Sequence, residues 1–498
     1  MSARQSGLLL HISSLPGEFG VGDFGPEAYR FIDILSASQQ SVWQILPLTP
    51  TDGINGYSPY SSASAFAGNY HFISPQLLLD DKLLTQEDLN DVPDFPNDYV
   101  DFDAVCAFKK RLLDSAFKRF WEHSFSQKNF NAFVKEQSFW LNDFALFTVI
   151  KERLCQDTWA RWPEDLKRRK PAALGKLEQD YAGEMLKVKF VQYLFFKQWA
   201  ALKKYGRSKR IQIMGDIPFY VSYDSVDVWC NPGLFKLDKA FAPKVVAGVP
   251  PDYFSSTGQR WGNPVYNWKR LEENKFAWWI KRFEHNFFLY DILRVDHFRA
   301  FINYWEIPAG EDTAINGRWR KTPTKKLFEA LNFQASALPT GRASIVAEDL
   351  GMIAPNVGRA IKRLGFPGMK ILMFAFGDDL NNGYLPHNYS ENCVVYTGTH
   401  DNNTVRGWYA NEATDKEKKN VKEYVTEPVS EGNVHLAFIR LALKSKAALA
   451  IFPVQDVLGL GHQARMNTPG TGENNWKWRL LPDALSAQKL NQIPLSRC

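Results

Sequence analysis

Eight short apolar segments with the composition of buried strands recur along the chain, and segments with helical periodicity separate most of them. Their predicted positions are 7–12, 42–46, 211–214, 291–296, 344–347, 370–376, 393–396 and 448–453. Strands that alternate with helices are typical of parallel sheets, because each connection between parallel strands has to cross the sheet. Eight such units fit a closed (β/α)8 barrel better than an open sheet. The sequence therefore predicts the α/β class with a TIM-barrel architecture.

Two long segments interrupt this alternation and are interpreted as insertions. The first, at about 53–180, is mostly helical in its periodicity, and the second, at about 222–275, is irregular, lid-like and dense in proline, glycine and aromatic residues. They follow the second and third strands, so they would lie above the C-terminal face of the barrel, where barrel enzymes have their active sites. We expect residues 1–498 to form a single catalytic barrel with these inserted subdomains, and the loops 53–69 and 248–268 to act as a lid.

Polar and charged side chains follow four of the predicted strands at the point where each strand ends. They are Asp216 after the third strand, Arg294 and Asp296 at the end of the fourth, Glu348 after the fifth, and His400 and Asp401 after the seventh. Each of them, taken alone, could be a structural ion pair or a helix-capping residue. The carboxyl ends of barrel strands meet at one rim, however, and structural charges have no reason to converge there. The shared position therefore favours an active site.

Paired carboxylates close to aromatic-rich insertions are typical of glycoside chemistry. One carboxylate attacks the anomeric carbon, and a second, kept protonated, donates its proton to the leaving oxygen. Aromatic residues make up 14% of the chain, with 16 tryptophans, and sugar rings pack against such faces. The His400–Asp401 pair could also indicate a metal, but divalent ions usually require more converging ligands. We therefore predict no metal.

Composition and motifs disfavour several other classes of protein. The formal net charge of +6 is small for 498 residues and is spread along the chain, which favours neither nucleic acid nor a membrane surface as a partner. Five cysteines without a CxxC pair predict neither a disulfide framework nor a zinc site. We find no phosphate-binding glycine loop, so no cofactor is predicted. No apolar run reaches the length of a signal-peptide core or a membrane span, and the predicted location is the cytoplasm.

Motifs along nearly the whole chain, from about residue 6 to residue 480, resemble those of the amylomaltases, or 4-α-glucanotransferases, of glycoside hydrolase family 77. These enzymes are relatives of the α-amylases. The motifs are GLLLHISSLPG, GDFGPEAYRF, WQILPL, YSPYSSASAFAGN, GDIPFYV, PPDYFSSTGQRWGNPVYNW, RVDHFRAF, AEDLG, FPGMKILMFAF, YTGTHDNNT and PVQDVLGLGHQARMNTPGTGENNWKWR. Unlike many α-amylases, the chain is expected to have no C-terminal β-sandwich.

The resemblance implies catalytic roles for three carboxylates. Asp296 would be the nucleophile that forms a covalent β-glycosyl intermediate, and Glu348 would act first as the general acid and then as the general base. Asp401 would hold hydroxyl groups of the sugar and help to distort its ring. Arg294 would pair with Asp296, and this pairing would keep the carboxylate ionised and aimed.

The resemblance also implies a set of substrate-binding residues around these carboxylates. His400 would hydrogen-bond the same sugar as Asp401, while Trp261 and Asn263 lie on the loop that family members fold over the cleft. The full set is Tyr60, Asp216, Trp261, Asn263, Arg294, His297, His400 and Asn467. The alternative for such residues is a role in a turn or in the core.

The implied activity is the retaining transfer of an α-1,4-glucan segment from one chain to another. The donor would be a maltooligosaccharide, starch or glycogen chain, and the acceptor would be the 4-hydroxyl of another glucan or of glucose. Two alternatives stay open, namely a retaining α-glucan hydrolase of the same clan and a glucan-binding protein whose catalytic site is inactive. The sequence indicates no particular protein partner.

Overall fold

The computed structural model describes residues 4–122, 127–154, 157–251, 255–335, 344–351, 355–377 and 381–493. Within these residues there are twelve β-strands, which we number in chain order. They are β1 (Gln5–Leu9), β2 (Val42–Gln44), β3 (Gln212–Ile217), β4 (Val245–Val249), β5 (Gln259–Pro264), β6 (Ile292–Val295), β7 (Asn303–Pro308), β8 (Arg318–Lys321), β9 (Ser344–Ala347), β10 (Gly368–Ile371), β11 (Cys393–Tyr396) and β12 (Leu449–Pro453).

The eight strands predicted from the sequence close into a barrel. Their order is β1, β12, β11, β10, β9, β6, β3 and β2, and all eight pairings, including that of β2 with β1, are parallel. This closed parallel barrel confirms the predicted (β/α)8 fold. The predicted strand 370–376 corresponds to β10, which ends at Ile371 rather than at residue 376. The apolar run continues beyond the strand because Leu372 and Met373 are buried in a 3-10 turn.

Eighteen α-helices, also numbered in chain order, are present in the described ranges. They are α1 (Pro26–Ala37), α2 (Pro75–Asp80), α3 (Phe102–Glu122), α4 (Lys128–Glu136), α5 (Ser138–Val149), α6 (Glu164–Lys167), α7 (Pro171–Asp180), α8 (Ala182–Ser208), α9 (Val226–Cys230), α10 (Trp268–Glu273), α11 (Ala277–Leu289), α12 (Thr324–Ala335), α13 (Pro355–Leu364), α14 (Val405–Asn411), α15 (Asp415–Tyr424), α16 (Val434–Lys444), α17 (Val454–Val457) and α18 (Ala487–Gln492).

A second, smaller sheet was not predicted from the sequence. It is antiparallel in the order β5, β4, β7, β8, so the segment at about 222–275 contributes two strands rather than being irregular throughout. The outer strands are poorly marked in the sequence, because β8 is exposed along its whole length and β5 is exposed over its first three residues. Apolar–polar alternation, which marks a half-buried strand, is therefore missing there.

A buried carboxylate holds this sheet together. Glu306, in the middle of β7, is 2% exposed and accepts charge-assisted hydrogen bonds from Lys236 (2.5 Å), Arg318 (2.9 Å) and Arg320 (2.7 Å). Three cations around one carboxylate compensate its loss of hydration. Arg318 and Arg320 tie β8 to β7, and Lys236 ties the chain between α9 and β4 to the same carboxylate. On the other side of the sheet, β5, which carries Trp261, is paired with β4.

The segment at about 53–180 holds α2 to α7. Residues 252–254 of the loop 248–268 lie outside the described residues. The division of residues 1–498 into one catalytic barrel with two insertions stays a prediction.

In the described part of the chain, no helix has both the length and the apolar character needed to cross a membrane.

Candidate active site

An arginine lies between two carboxylates at the C-terminal ends of β3 and β6. These strands are paired in parallel with Asp216 opposite Arg294, which places the two side chains at the same level of the barrel. The guanidinium donates to Asp216 Oδ2 at 2.5 Å through Nη1 and lies 3.0 Å from Asp296 Oδ1 through Nη2. Tyr60 also donates its hydroxyl to Asp216 Oδ2, at 2.8 Å. Asp216 therefore orients Arg294, which in turn orients Asp296.

Glu348 is held by backbone N–H groups of the segments that follow β6 and β9. Its two oxygens accept hydrogen bonds from the backbone N–H groups of His297 and Leu350, each at 2.8 Å. His297 has φ +48°, in the left-handed region that is unfavourable by about 1–2 kcal/mol for a residue with a side chain. This conformation accompanies the donation of the His297 N–H to Glu348 and is the kind of local strain found at functional sites.

Glu348 and Asp296 differ in how readily they hold a proton. Burial, reinforced by the negative charge of Asp296, raises the pKa of Glu348 to about 7, although Arg294 and the Leu350 N–H oppose the shift. Burial also raises the pKa of Asp296 to about 6, with Arg294 acting in the opposite direction. A single proton shared by the pair therefore resides mainly on Glu348. The two groups are close enough to titrate together.

The pKa of Asp401 is shifted in the opposite direction from the pKa of Glu348. Its Oδ1 accepts a hydrogen bond from Asn467 Nδ2 at 2.7 Å, and its Oδ2 lies 3.3 Å from His400 Nε2. Burial alone would raise the pKa of Asp401, but His400 and the Asn467 amide outweigh it and hold the pKa well below its usual value. Asp401 is therefore a permanently ionised acceptor of hydrogen bonds, which suits contacts with sugar hydroxyl groups.

Aromatic rings connect the loops above the barrel to these polar groups. The ring of Tyr60 stacks on the ring of His400, with centroids 5.2 Å apart and planes 13° apart. Trp261, on β5, meets the ring of His297 edge to face at 4.8 Å and is 38% exposed. Both loops that were predicted to form a lid thus contribute a ring that contacts a residue next to a carboxylate.

The structure brings nearly all of the predicted site residues together. Tyr60, Asp216, Arg294 and Asp296 form one network of polar contacts, and the hydrogen-bonded pair of His297 and Glu348 adjoins it because His297 directly follows Asp296 in the chain. A further network is formed by His400, Asp401 and Asn467, and Tyr60 joins it to the first by stacking on His400. Asn263 is different, because its Nδ2 donates to the backbone oxygen of Val221 at 3.0 Å. That contact gives Asn263 a role in fixing its loop, and a contact with substrate stays a prediction.

Among the described residues, no group of three or more His, Cys, Asp and Glu side chains is arranged to hold a metal ion. The rim itself carries a carboxyl group whose pKa is raised to about 7, an arginine-paired carboxylate and a third carboxylate whose pKa is lowered. This set is suited to displacement at an anomeric carbon.

Comparison with known proteins agrees with this geometry. Residues 10–484 match the family model of glycoside hydrolase family 77, described as 4-alpha-glucanotransferase. The chain belongs to this family. It is 47% identical over 480 residues to the 4-alpha-glucanotransferase of Aquifex aeolicus, with 96% of each chain covered. It is 48% identical over 491 residues to that of Synechocystis sp., covering 98% of this chain and 95% of the relative.

The chain also shares its fold with a solved amylomaltase. An amylomaltase from Streptococcus agalactiae, solved in complex with acarbose, superposes with a TM-score of 0.92 at 39% identity, and the match covers 98% of both chains. The family membership inferred from sequence motifs is thus confirmed by the family model, by curated relatives and by a solved structure.

One residue of the rim was missed by the sequence analysis. Asp456, three residues beyond β12, is 1% exposed and accepts hydrogen bonds from the Thr397 hydroxyl (2.5 Å) and the Val405 N–H (2.7 Å). These two donors lie at either end of the loop that carries His400 and Asp401, so Asp456 closes that loop. A strand-end signal was present, since Asp456 follows the predicted eighth strand as Asp216 follows the third.

Proposed function

We propose that this 4-alpha-glucanotransferase transfers α-1,4-glucan segments with retention of configuration, through a covalent intermediate on Asp296. The observation that carries the proposal is the contrast between the two central carboxyl groups. Asp296 is paired with Arg294 at 3.0 Å, while burial and the charge of Asp296 raise the pKa of Glu348 to about 7. One group suited to attack and one suited to donate a proton are what a double displacement requires.

In the first step, Asp296 attacks the anomeric carbon and Glu348 donates its proton to the leaving glycosidic oxygen. Arg294 contacts Oδ1 of Asp296, which leaves Oδ2 as the attacking atom. The bond between the anomeric carbon and the glycosidic oxygen breaks, and the departing glucan takes the proton as its new hydroxyl hydrogen. The configuration inverts once, which produces a β-glycosyl ester.

In the second step, an acceptor hydroxyl replaces Asp296. Once Asp296 is esterified its negative charge is gone, and that charge is the second largest cause of the raised pKa of Glu348. The pKa of Glu348 therefore falls in the intermediate, so the carboxylate can remove the proton from a 4-hydroxyl as it attacks. The second inversion restores the α configuration and returns the proton to Glu348.

Transfer competes with hydrolysis at this intermediate. A bound glucan whose 4-hydroxyl is aligned beside Glu348 gains an effective concentration far above that of a loosely held water. We propose that the loops carrying Tyr60 and Trp261 favour transfer by covering the cleft and limiting the entry of water. The donors would be maltooligosaccharide, starch or glycogen chains, and the acceptors would be other glucans or glucose. Residues 1–498 would act as one catalytic unit.

The direct test is incubation with maltotriose alone, followed by chromatography of the products. We expect chains longer than maltotriose to appear together with glucose and maltose, because each donor segment is passed to another sugar. Glucose and maltose without any longer chain would instead identify the hydrolase of the same clan. Binding of maltotriose without any product would identify a glucan-binding protein with an inactive site. Either of those results would overturn the proposal.

The pH dependence of kcat/KM for maltotriose should be bell-shaped. Below about pH 6, Asp296 gains a proton and loses its nucleophilicity, because burial raises its pKa to about 6. Above about pH 7, Glu348 loses the proton that it has to donate. Activity is therefore expected to be highest between these two values and to fall on both sides. A profile that rises steadily into the alkaline range would contradict the assignment of Glu348 as the acid.

A further inference from the structure

A buried tryptophan contacts both members of the ring pair that joins the two polar networks of the rim. The ring centroid of Trp476 lies 5.8 Å from that of Tyr60 and 5.9 Å from that of His400. Since the rings of Tyr60 and His400 stack with centroids 5.2 Å apart, the three rings form a compact triangle. Trp476 is only 6% exposed, so almost none of its surface is available to a substrate. Any effect of Trp476 on the reaction must therefore pass through its neighbours.

The two rings that Trp476 contacts lead to different carboxylates. His400 Nε2 lies 3.3 Å from Oδ2 of Asp401. The hydroxyl of Tyr60 donates to Asp216 at 2.8 Å, at the start of the network that ends at the proposed nucleophile. A shift of either ring would therefore change the position of a carboxylate at the rim.

The backbone of Trp476 is held in an unfavourable conformation. Its φ is +66°, in the left-handed region that residues with a side chain rarely adopt. Its N–H donates to the carbonyl oxygen of Met466 at 2.7 Å. The next residue, Asn467, bonds to Asp401 at 2.7 Å, so the tryptophan is also tied through its backbone to the segment that contacts this carboxylate. Strain of this kind persists only where the surrounding contacts fix it, and it is concentrated at functional sites.

The residues that directly follow Trp476 fix its position, and we call residues 476–480 the strap. Arg479 is 2% exposed, and its guanidinium donates to the carbonyl oxygens of Pro96 and Gly17 at 2.7 and 2.6 Å. Three backbone hydrogen bonds join the strap to other segments: from the Val100 N–H to the Lys477 oxygen, from the Arg479 N–H to the Asp98 oxygen, and from the Leu480 N–H to the Ser14 oxygen. These contacts leave the ring of Trp476 little freedom to move.

We propose that Trp476 is a positioning residue for the transfer reaction, which holds His400 and Tyr60 in the orientation that the carboxylates of the rim require. The inference rests on the proposed function, because that function gives Asp401 its contact with the sugar. Misplacement of a group at the reacting centre by about 1 Å can lower a rate about a hundredfold. Contacts that are made mainly in the transition state affect kcat and leave KM nearly unchanged. Loss of Trp476 should therefore lower kcat rather than raise KM.

The experiment measures kcat and KM for maltotriose in two variants of Trp476 and in one matched control. Trp476→Leu removes the ring but keeps an apolar side chain, and kcat should fall about 10- to 100-fold while KM stays within about threefold of the parent. Trp476→Phe keeps a ring and should restore kcat to within about fivefold of the parent. Trp140→Leu is the control, because Trp140 is 5% exposed and packs on Phe144 and Phe196, on α5 and α8. It should lower the melting temperature and keep kcat within about twofold.

A double-mutant cycle separates positioning from a general loss of stability. If Trp476 acts through His400, Trp476→Leu should lower kcat by less than about threefold when it is introduced into His400→Ala, whereas independent effects would multiply. Melting curves establish which variants are folded at the assay temperature. Trp476→Met, which has a longer apolar side chain, takes the place of Trp476→Leu in the cycle if the latter is not folded.

Several results would overturn the positioning role. They are a full loss of kcat from Trp476→Leu in the His400→Ala background, an equal loss of kcat in Trp140→Leu, and a Trp476→Phe protein as slow as Trp476→Leu. A parent that elongates maltotriose while Trp476→Leu keeps kcat within about threefold would overturn the role and leave the proposed function intact. A parent that releases only glucose and maltose, at a rate that still falls tenfold in Trp476→Leu, would support the role and overturn the proposed transfer.

Discussion

Asp296→Ala is expected to lower kcat on maltotriose by about four to six orders of magnitude, as removal of a covalent nucleophile usually does. The variant has no group that can form the glycosyl ester. It also leaves Arg294 with only Asp216 as its charge partner at the rim, because Arg294 contacts both carboxylates in the parent. The measurement is the initial rate of glucose release, together with the appearance of longer chains.

A matched control flanks the same strand at its other end. Asp291 directly precedes β6, at the opposite end of the barrel from Asp296, and is paired with Arg207 at 2.8 Å. Changes at the N-terminal face of a barrel affect stability rather than chemistry. Asp291→Ala should therefore lower the melting temperature while keeping kcat within a few-fold of the parent. An Asp296→Ala protein that retained more than about a tenth of the parent rate would disprove the nucleophile assignment.

The barrel could be predicted because its strands are nearly continuous in apolar character. Strands such as β11 and β12 are buried at every residue, and fully buried strands separated by helices have few alternatives to a parallel barrel. The small antiparallel sheet could not be predicted in the same way. Its central carboxylate, Glu306, is bonded to Lys236, 70 positions away in the chain, as well as to Arg318 and Arg320 on the neighbouring strand. Long-range polar contacts of this kind leave no local pattern.

The site residues were accessible to sequence reasoning for a related reason. Asp216, Arg294, Asp296 and Glu348 each end a recognisable strand, and the parallel barrel brings all of those ends to one rim. The contribution of the loops was harder to derive. The stacking of Tyr60 on His400 and the contact between Trp261 and His297 join residues more than thirty positions apart and were not predicted. Only the family resemblance indicated that Tyr60 and Trp261 belong to the site. The catalytic and binding roles of these residues stay predictions until they are tested.

Glu348→Gln should separate the two steps of the proposed reaction. With maltotriose, kcat is expected to fall by about two to four orders of magnitude, because the leaving oxygen receives no proton. With α-maltosyl fluoride as donor, the first step should remain fast, since fluoride departs without a proton. The second step still needs a base, so the glycosyl ester on Asp296 should accumulate. The introduced amide would keep one acceptor oxygen for the His297 and Leu350 N–H groups that contact Glu348 in the parent.

The accumulated ester can be measured directly by mass spectrometry of the intact protein. Glu348→Gln incubated with α-maltosyl fluoride should gain the mass of one maltosyl group, and peptide mapping should place it on Asp296. The double variant with Asp296→Ala should gain no mass under the same conditions. The alkaline limb of the pH profile should also disappear in Glu348→Gln, because the group with a pKa of about 7 is gone. An adduct on another carboxylate, or an unchanged alkaline limb, would assign the acid and the nucleophile differently.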